Sequence, residues 1–249
     1  MKASSGPSAL NEGMNEHKVN HSLENFLKNN REEDSNARCA LVASRVLRAD
    51  VDGGVWINAG AAIAHYGDLT FNRIPTVKTK NIKTMALREL VHLVEASGKG
   101  QLYCAKAGWH LRTIYLHNET LSISSNELIA FEKSLDFELE LIGKGLSIAT
   151  GGIVEVKISG AGWVAIGVHG DPLVLPVTQD RPLFTDPHAT VAWTDGVIPT
   201  FSSDLTLRSL LLHGGKEDVQ MRFEGEGFVV IQPAEDPARF TGKRLRKLL

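Results

Sequence analysis

The chain has 249 residues, of which 43% are hydrophobic and 22% charged, with a formal net charge of -2. A chain of this length removes roughly three quarters of its unfolded surface from water on folding and needs no metal or disulfide staple to do so. The near-balanced charge supplies no global field for nucleic acid or an anionic membrane, so either partner would have to use a local patch.

The N-terminal stretch, residues 1 to 36, is polar and rich in Asn, Glu and Ser. It lacks the apolar core of ~7–15 residues that a secretory signal needs, and nowhere does the chain approach the ~18 apolar residues of a membrane span. A cytoplasmic protein is the expectation. Met14 is a second candidate start. Leu23, Phe26 and Leu27 fall at i, i+3 and i+4, which predicts one or two turns of amphipathic helix inside an otherwise disordered tail.

From Leu41 the texture changes to short apolar runs separated by Gly, Pro, Asp and Asn, as expected of many short strands joined by tight turns. Around Lys83 to Val94 the pattern fits a helix or a strand equally. The two cysteines, Cys39 and Cys104, have apolar neighbours and fit neither a metal spacing nor a disulfide framework, which predicts buried reduced thiols.

One signal recurs. VEASGKGQLYCA from Val94, VKISGAGWVAIG from Val156 and MRFEGEGFVVIQ from Met221 each place a Gly-x-Gly between two alternating apolar runs. The spacing between copies is about 60 residues, as in duplication of a structural unit. Within each copy the apolar residues keep one parity straight through the glycines. Val154, Val156, Ile158, Val164, Ile166 and Val168 are all even, and Met221, Phe223, Val229 and Ile231 all odd. Side chains two apart share a sheet face, so each copy has one apolar face. Glu155, Lys157, Arg222 and Glu224 on the alternate positions predict a wet opposite face.

A three-residue hairpin loop preserves parity and favours a left-handed glycine. On that reasoning Gly98, Gly100, Gly160, Gly162, Gly225 and Gly227 are expected as hairpin corners. The rival is a single long strand bent at a glycine kink.

The segment GGVWINAGAAIAHYGDLTF from Gly53, followed in order by ISGAGWVAIGVHGDPLVLPV, LFTDPHATVAW and RFEGEGFVVIQP, resembles the altered inheritance of mitochondria protein 24 family from about Leu41 to Pro233. In that pattern a Tyr-Gly-Asp turn follows the Gly-Ala run, and Ala62 stands where a methionine is expected. The resemblance implies a fold like that of the tryptophan RNA-binding attenuation protein, in the double-stranded β-helix class. It implies homo-oligomers, with a trimer as one candidate, and a mitochondrial association for eukaryotic members. It supplies no catalytic residues.

The cupin metalloenzymes share that fold class, so metal ligands are the first chemistry to seek. None of the nine histidines are spaced two apart; His110, His117 and Glu119 come closest to a cluster, with His169 and His188 near turns. Satisfied or surface histidines are the simpler reading. No Gly-x-Ser-x-Gly elbow and no Walker lysine are present, and His213-Gly214-Gly215 reads as a turn. Trp56, Trp109, Trp163 and Trp193 read as core or interface anchors before a ligand-stacking surface. The final stretch places Lys243, Arg244, Arg246 and Lys247 beside Leu245, Leu248 and Leu249. It is a candidate partner or membrane-surface segment, or else a solvated tail.

The expected architecture is all-β: a duplicated antiparallel sandwich or double-stranded β-helix. It would comprise a polar extension (1–36), a first β unit (37–140), a second (141–233) and a basic tail (234–249). The expected function is a non-enzymatic, self-associating scaffold with no cofactor, no metal and no nucleic-acid partner. The alternatives are a cupin-like small-molecule or metal-binding protein, and more remotely RNA binding.

Overall fold

A computed structural model describes residues 22–32, 35–73, 91–142, 154–202 and 220–233. The chain divides into two compact units, residues 1–34 and 35–249.

In the first unit, α1 (Leu23–Asn29) forms where the i, i+3, i+4 spacing placed it. The Ser22 hydroxyl accepts the Asn25 N–H at 3.2 Å, and the Asn30 side chain donates to the Phe26 carbonyl at 2.8 Å, so both ends are capped. Glu24 in the first turn and Lys28 in the last complement the helix dipole. Leu23, Phe26 and Leu27 are all exposed.

The second unit is β throughout its described residues. Its first strands are β1 (Cys39–Ala43), β2 (Val46–Asp52), β3 (Val55–Asn58), β4 (Ala62–Arg73) and β5 (Leu93–Cys104). They are followed by β6 (His110–Ser124), β7 (Leu128–Glu132), β8 (Asp136–Leu141) and β9 (Val154–Val168). The last are β10 (Leu173–Val177), β11 (Leu183–Thr185), β12 (Thr190–Thr194), β13 (Val197–Ser202), β14 (Gln220–Gly225) and β15 (Gly227–Ile231). Twelve strands form one sheet along the path β1-β2-β5-β3-β7-β9-β6-β12-β15-β10, with β4 paired to β5 and β8 to β9. A second sheet runs β11-β14-β13. The pairs are antiparallel and the sheets open, so the all-β antiparallel expectation holds.

The glycine pairs are not hairpin corners. Gly98 and Gly100 lie inside the uninterrupted β5, and Gly160 and Gly162 inside the uninterrupted β9. Gly225 closes β14 and Gly227 opens β15, two strands that continue one another instead of pairing. Parity could not distinguish the two readings, because an unbroken strand preserves it as well as a three-residue loop does. The glycines are required because the strand changes neighbour there. Leu93–Ala96 pairs with β3 while Lys99–Cys104 pairs with β2, and β4 runs along the other side of both halves. Likewise β8 lies on the first half of β9 and β7 on the second, with β6 along the other side. In the third instance β13 lies on β14 and β12 on β15, opposite β11 and β10. Two consecutive strands running in the same direction thus straddle each glycine bend. The bend itself uses positive φ at Gly98 (124°), Gly160 (123°) and Gly225 (111°), where a Cβ is penalised.

The apolar face of each glycine strand fills one core. Ala96, Leu102 and Cys104 sit with Leu47, Ile57 and Leu111. Val154, Val156, Ile158, Val164, Ile166 and Val168 sit with Leu128, Phe131 and Leu139. Met221, Phe223 and Val229 sit with Trp193 and Val177. Burial of each such side chain contributes about 1.5–3 kcal/mol.

The wet-face expectation holds on β9 at Lys157, which is half-buried and ion-paired with the exposed Asp195, and fails at Glu155, Trp163 and Ala165. Glu155 is buried and accepts the Ser122 hydroxyl, and Trp163 and Ala165 on the same face enter the first core. The second half of β9 therefore separates two cores. In β14 the expectation holds, with Arg222 and Glu224 paired at 2.6 Å on the outer face. The proposed division at 140/141 falls inside β8, between Glu140 and Leu141, in a strand that pairs along its length with β9. Arg48, buried at 4%, donates to the carbonyls of Ser35 (2.6 Å) and Ala37 (3.0 Å) and so ties the start of this unit to β2.

Candidate interaction surface

A sheet edge presents unpaired N–H and C=O groups, and folds normally blunt it with proline, charge, bulges or brevity. Most edges here are blunted. Pro176 lies in β10 and Pro199 in β13, β11 is three residues long, and β1 is five residues long with a bulge between Leu41 and Ala43. Asp136, Glu138 and Glu140 line β8. The free part of β6 carries Arg112 and Glu119 and is broken by a bulge at Asn118, whose φ is 62°.

β4 differs. It is twelve residues long, pairs among the described residues only with β5, and is exposed at ten of its positions. It contains no proline, and its formal charges are Asp68 and Arg73. Its bulge lies at the start, between Ala62 and Ala64. Ile63 is 57% exposed, Tyr66 69% and Phe71 41%.

Register assigns the two faces of β4. His65, Leu69 and Phe71 lie opposite Leu102, Gly98 and Ala96, on the side of the first core. The His65 and Phe71 rings meet edge to face at 5.7 Å, and Leu69 packs partly against that core. Ala64, Tyr66, Asp68, Thr70 and Asn72 lie opposite Tyr103, Gln101, Lys99, Ser97 and Glu95 on the other side. There Tyr66 and Tyr103 pack edge to face at 6.0 Å, and Asp68 faces Lys99 across the ladder. The Tyr66-Gly67-Asp68 segment, expected as a turn, is the middle of this strand: Gly67 takes φ 82° and bends it without reversing it.

The other singled-out residues are dispersed. His110 sits 3.3 Å from the Arg45 guanidinium and 3.4 Å from the Gly170 carbonyl oxygen. His169 packs on Trp109 at 4.3 Å and its backbone N–H donates to Gln232 Oε1 at 2.9 Å. His117 lies further along β6, its ring packed at a tilt against Tyr115 at 4.8 Å. His110 and His169 share one end of the β6–β9 ladder and His117 does not join them. Among the described residues no group of three or more His, Cys, Asp or Glu side chains could hold a metal ion. Burial pushes both thiols up to about 12, with the Glu132 carboxylate adding to the effect at Cys39.

Trp109, Trp163 and Trp193 are buried, and Trp56 packs against Phe131 and Phe137. Three are core residues, and the half-buried Trp56 packs against the core. Lys243, Arg244, Arg246 and Lys247, and the His213 turn, lie outside the described residues. No helix among the described residues is long and apolar enough to cross a membrane.

The edge of β4 is the feature that residue-by-residue reading missed. Its signal was the run Ala62–Asn72, with a single formal charge and no proline. That composition leaves an edge strand open to pairing.

No curated protein matches the chain. An X-ray crystal structure of a Streptococcus pyogenes protein is similar in fold, with a TM-score of 0.61 at 17% identity, covering 85% of this chain and 98% of that one. The profile of one family spans residues 41–234, which takes in every strand from β2 to β15 and most of β1. The chain belongs to the mitochondrial biogenesis AIM24 family.

Proposed function

We propose that this protein is a non-enzymatic β-scaffold that self-associates and holds other macromolecules at its sheet edges. The observation carrying this reading is β4, a long exposed edge whose apolar side chains are left outside cores that are already filled. The three glycine strands with their flanking strands are read as copies of one unit, which multiplies the number of sheet edges a single chain offers. The cytoplasmic assignment stands as part of the proposal. The family's description makes the mitochondrial fraction the informative alternative in a fractionation experiment.

Size-exclusion chromatography with light scattering tests the reading. A mass well above the 27.1 kDa of one chain is expected. A strict monomer over the accessible concentration range would count against it.

A further inference from the structure

We propose that β4 pairs antiparallel with β4 of a second copy of this chain, about a two-fold axis through Gly67. This rests on the self-association reading above and names the surface that carries it. The first argument is selective protection. The strands that occupy the same place relative to the other glycine strands are β6 and the β10–β11 pair. The free part of β6 is broken at Asn118, and the β10–β11 edge carries Pro176 and an interruption at Thr178–Arg181. β4 exposes ten of its twelve residues, has no proline, and carries its bulge only at its start, between Ala62 and Ala64. Edge strands are ordinarily blunted, so the unblunted member of the set is the one whose pairing is used.

The second argument is self-complementarity. A two-fold axis normal to the sheet keeps every side chain on its own face, so residues of equal parity must face each other and the axis must pass through a residue. Centring on Asp68 would oppose two carboxylates, which is unfavourable. Centring on Gly67 sets Tyr66 opposite Asp68 of the second copy, where the phenol can donate to the carboxylate. It sets His65 opposite Leu69 and Ala64 opposite Thr70, with no like charges opposed. All of these except Leu69 are exposed in the single chain. Gly67 also fits the axis physically, since a glycine within a strand permits another backbone to approach closely. Placing the axis at the bend gives both strands the same curvature.

A two-fold pair uses both edges and closes, so the assembly has an even number of chains. The test is charge exchange at the facing pair Ala64 and Thr70, both exposed. In the full chain, A64K/T70K opposes two lysine pairs and A64E/T70E two glutamate pairs. Each double variant is expected to keep the far-ultraviolet dichroism of the parent while its self-association weakens by about tenfold or more. An equimolar mixture is expected to recover association, because every facing pair is then Lys against Glu.

If the parent chain is monomeric, the scaffold reading and this pairing fall together. If the parent associates and the folded lysine variant associates equally well, self-association stands and the β4 pairing is overturned. An odd-numbered assembly, or a mixture that does not recover, also overturns it.

Discussion

Gly100 on β5 packs directly against Tyr66 on β4, so that a Cβ on the glycine would overlap the Tyr66 carbonyl oxygen and lie 3.2 Å from the Gly67 Cα. The contact is reciprocal. A Cβ on Gly67 would lie 2.9 Å from the Gly100 Cα, and one on Gly98 would overlap the Asp68 carbonyl. Three glycines thus interlock two strands where both bend, and they hold β4 in place as the outer strand.

Replacing Gly100 by alanine is therefore expected to cost roughly 1–3 kcal/mol or more, because the obstacle is backbone and has no rotamer to escape into. Gly53 is the control. It has φ 97° in the β2–β3 turn but nothing within 4 Å of a built Cβ. Gly53→Ala should lose only the conformational term, about 1 kcal/mol. Urea midpoints of the two variants check the ordering.

The two thiols make a prediction about alkaline pH. Burial raises Cys104 from 9.0 to about 12, and Cys39 likewise with help from the Glu132 carboxylate. The native state holds these protons while the unfolded chain releases them, so stability is fully present below pH 9 and is lost as pH rises towards 12. Chemical denaturation from pH 8 to 10.5 should show a shallower decline for Cys104→Ala than for the parent chain. Native Cys104 should resist thiol reagents at pH 8 and react on unfolding.

Glu95 provides a smaller acid-side term. Its carboxyl lies below the usual range, first because Lys133 hydrogen-bonds it, at 2.5 Å. A lowered carboxyl stabilises the fold above its unfolded pKa, and the contribution disappears as pH falls through the folded value. Lys133 is half exposed, so Lys133→Met is expected to remove under about 1 kcal/mol at pH 7 and nothing at pH 2–3. Stability curves at both pH values measure the difference.

The third core predicts a large packing effect. Phe223 is fully buried and its ring lies 5.6 Å from that of Trp193. Phe223→Ala should cost about 3–5 kcal/mol and shift Trp193 emission to the red, as seen by fluorescence-monitored unfolding.

Much of this architecture was legible because period-two patterning is a direct image of a half-buried strand. Val154 to Val168 and Met221 to Ile231 entered the cores that their parity assigned. The glycines were misplaced because parity reports which face a residue occupies and is silent on whether the chain reverses. Only the partner switch from β3 to β2, a long-range property, distinguishes a bend from a corner. Glu155 was taken for a wet position because its burial comes from β6 across the ladder, where it accepts the Ser122 hydroxyl, and that leaves no mark on β9 itself. The edge of β4 was invisible for a related reason: exposure of a strand depends on what fails to pair with it.

Hydrogen exchange of the full chain, read by mass spectrometry at low and high protein concentration, addresses the central claim most directly. Outward amides of residues 62–73 should exchange fast in dilute solution and slow markedly as concentration rises, while the β10 and β13 edges remain unchanged. Fast exchange of residues 62–73 at every concentration, in a sample that light scattering shows to be associated, would contradict the account.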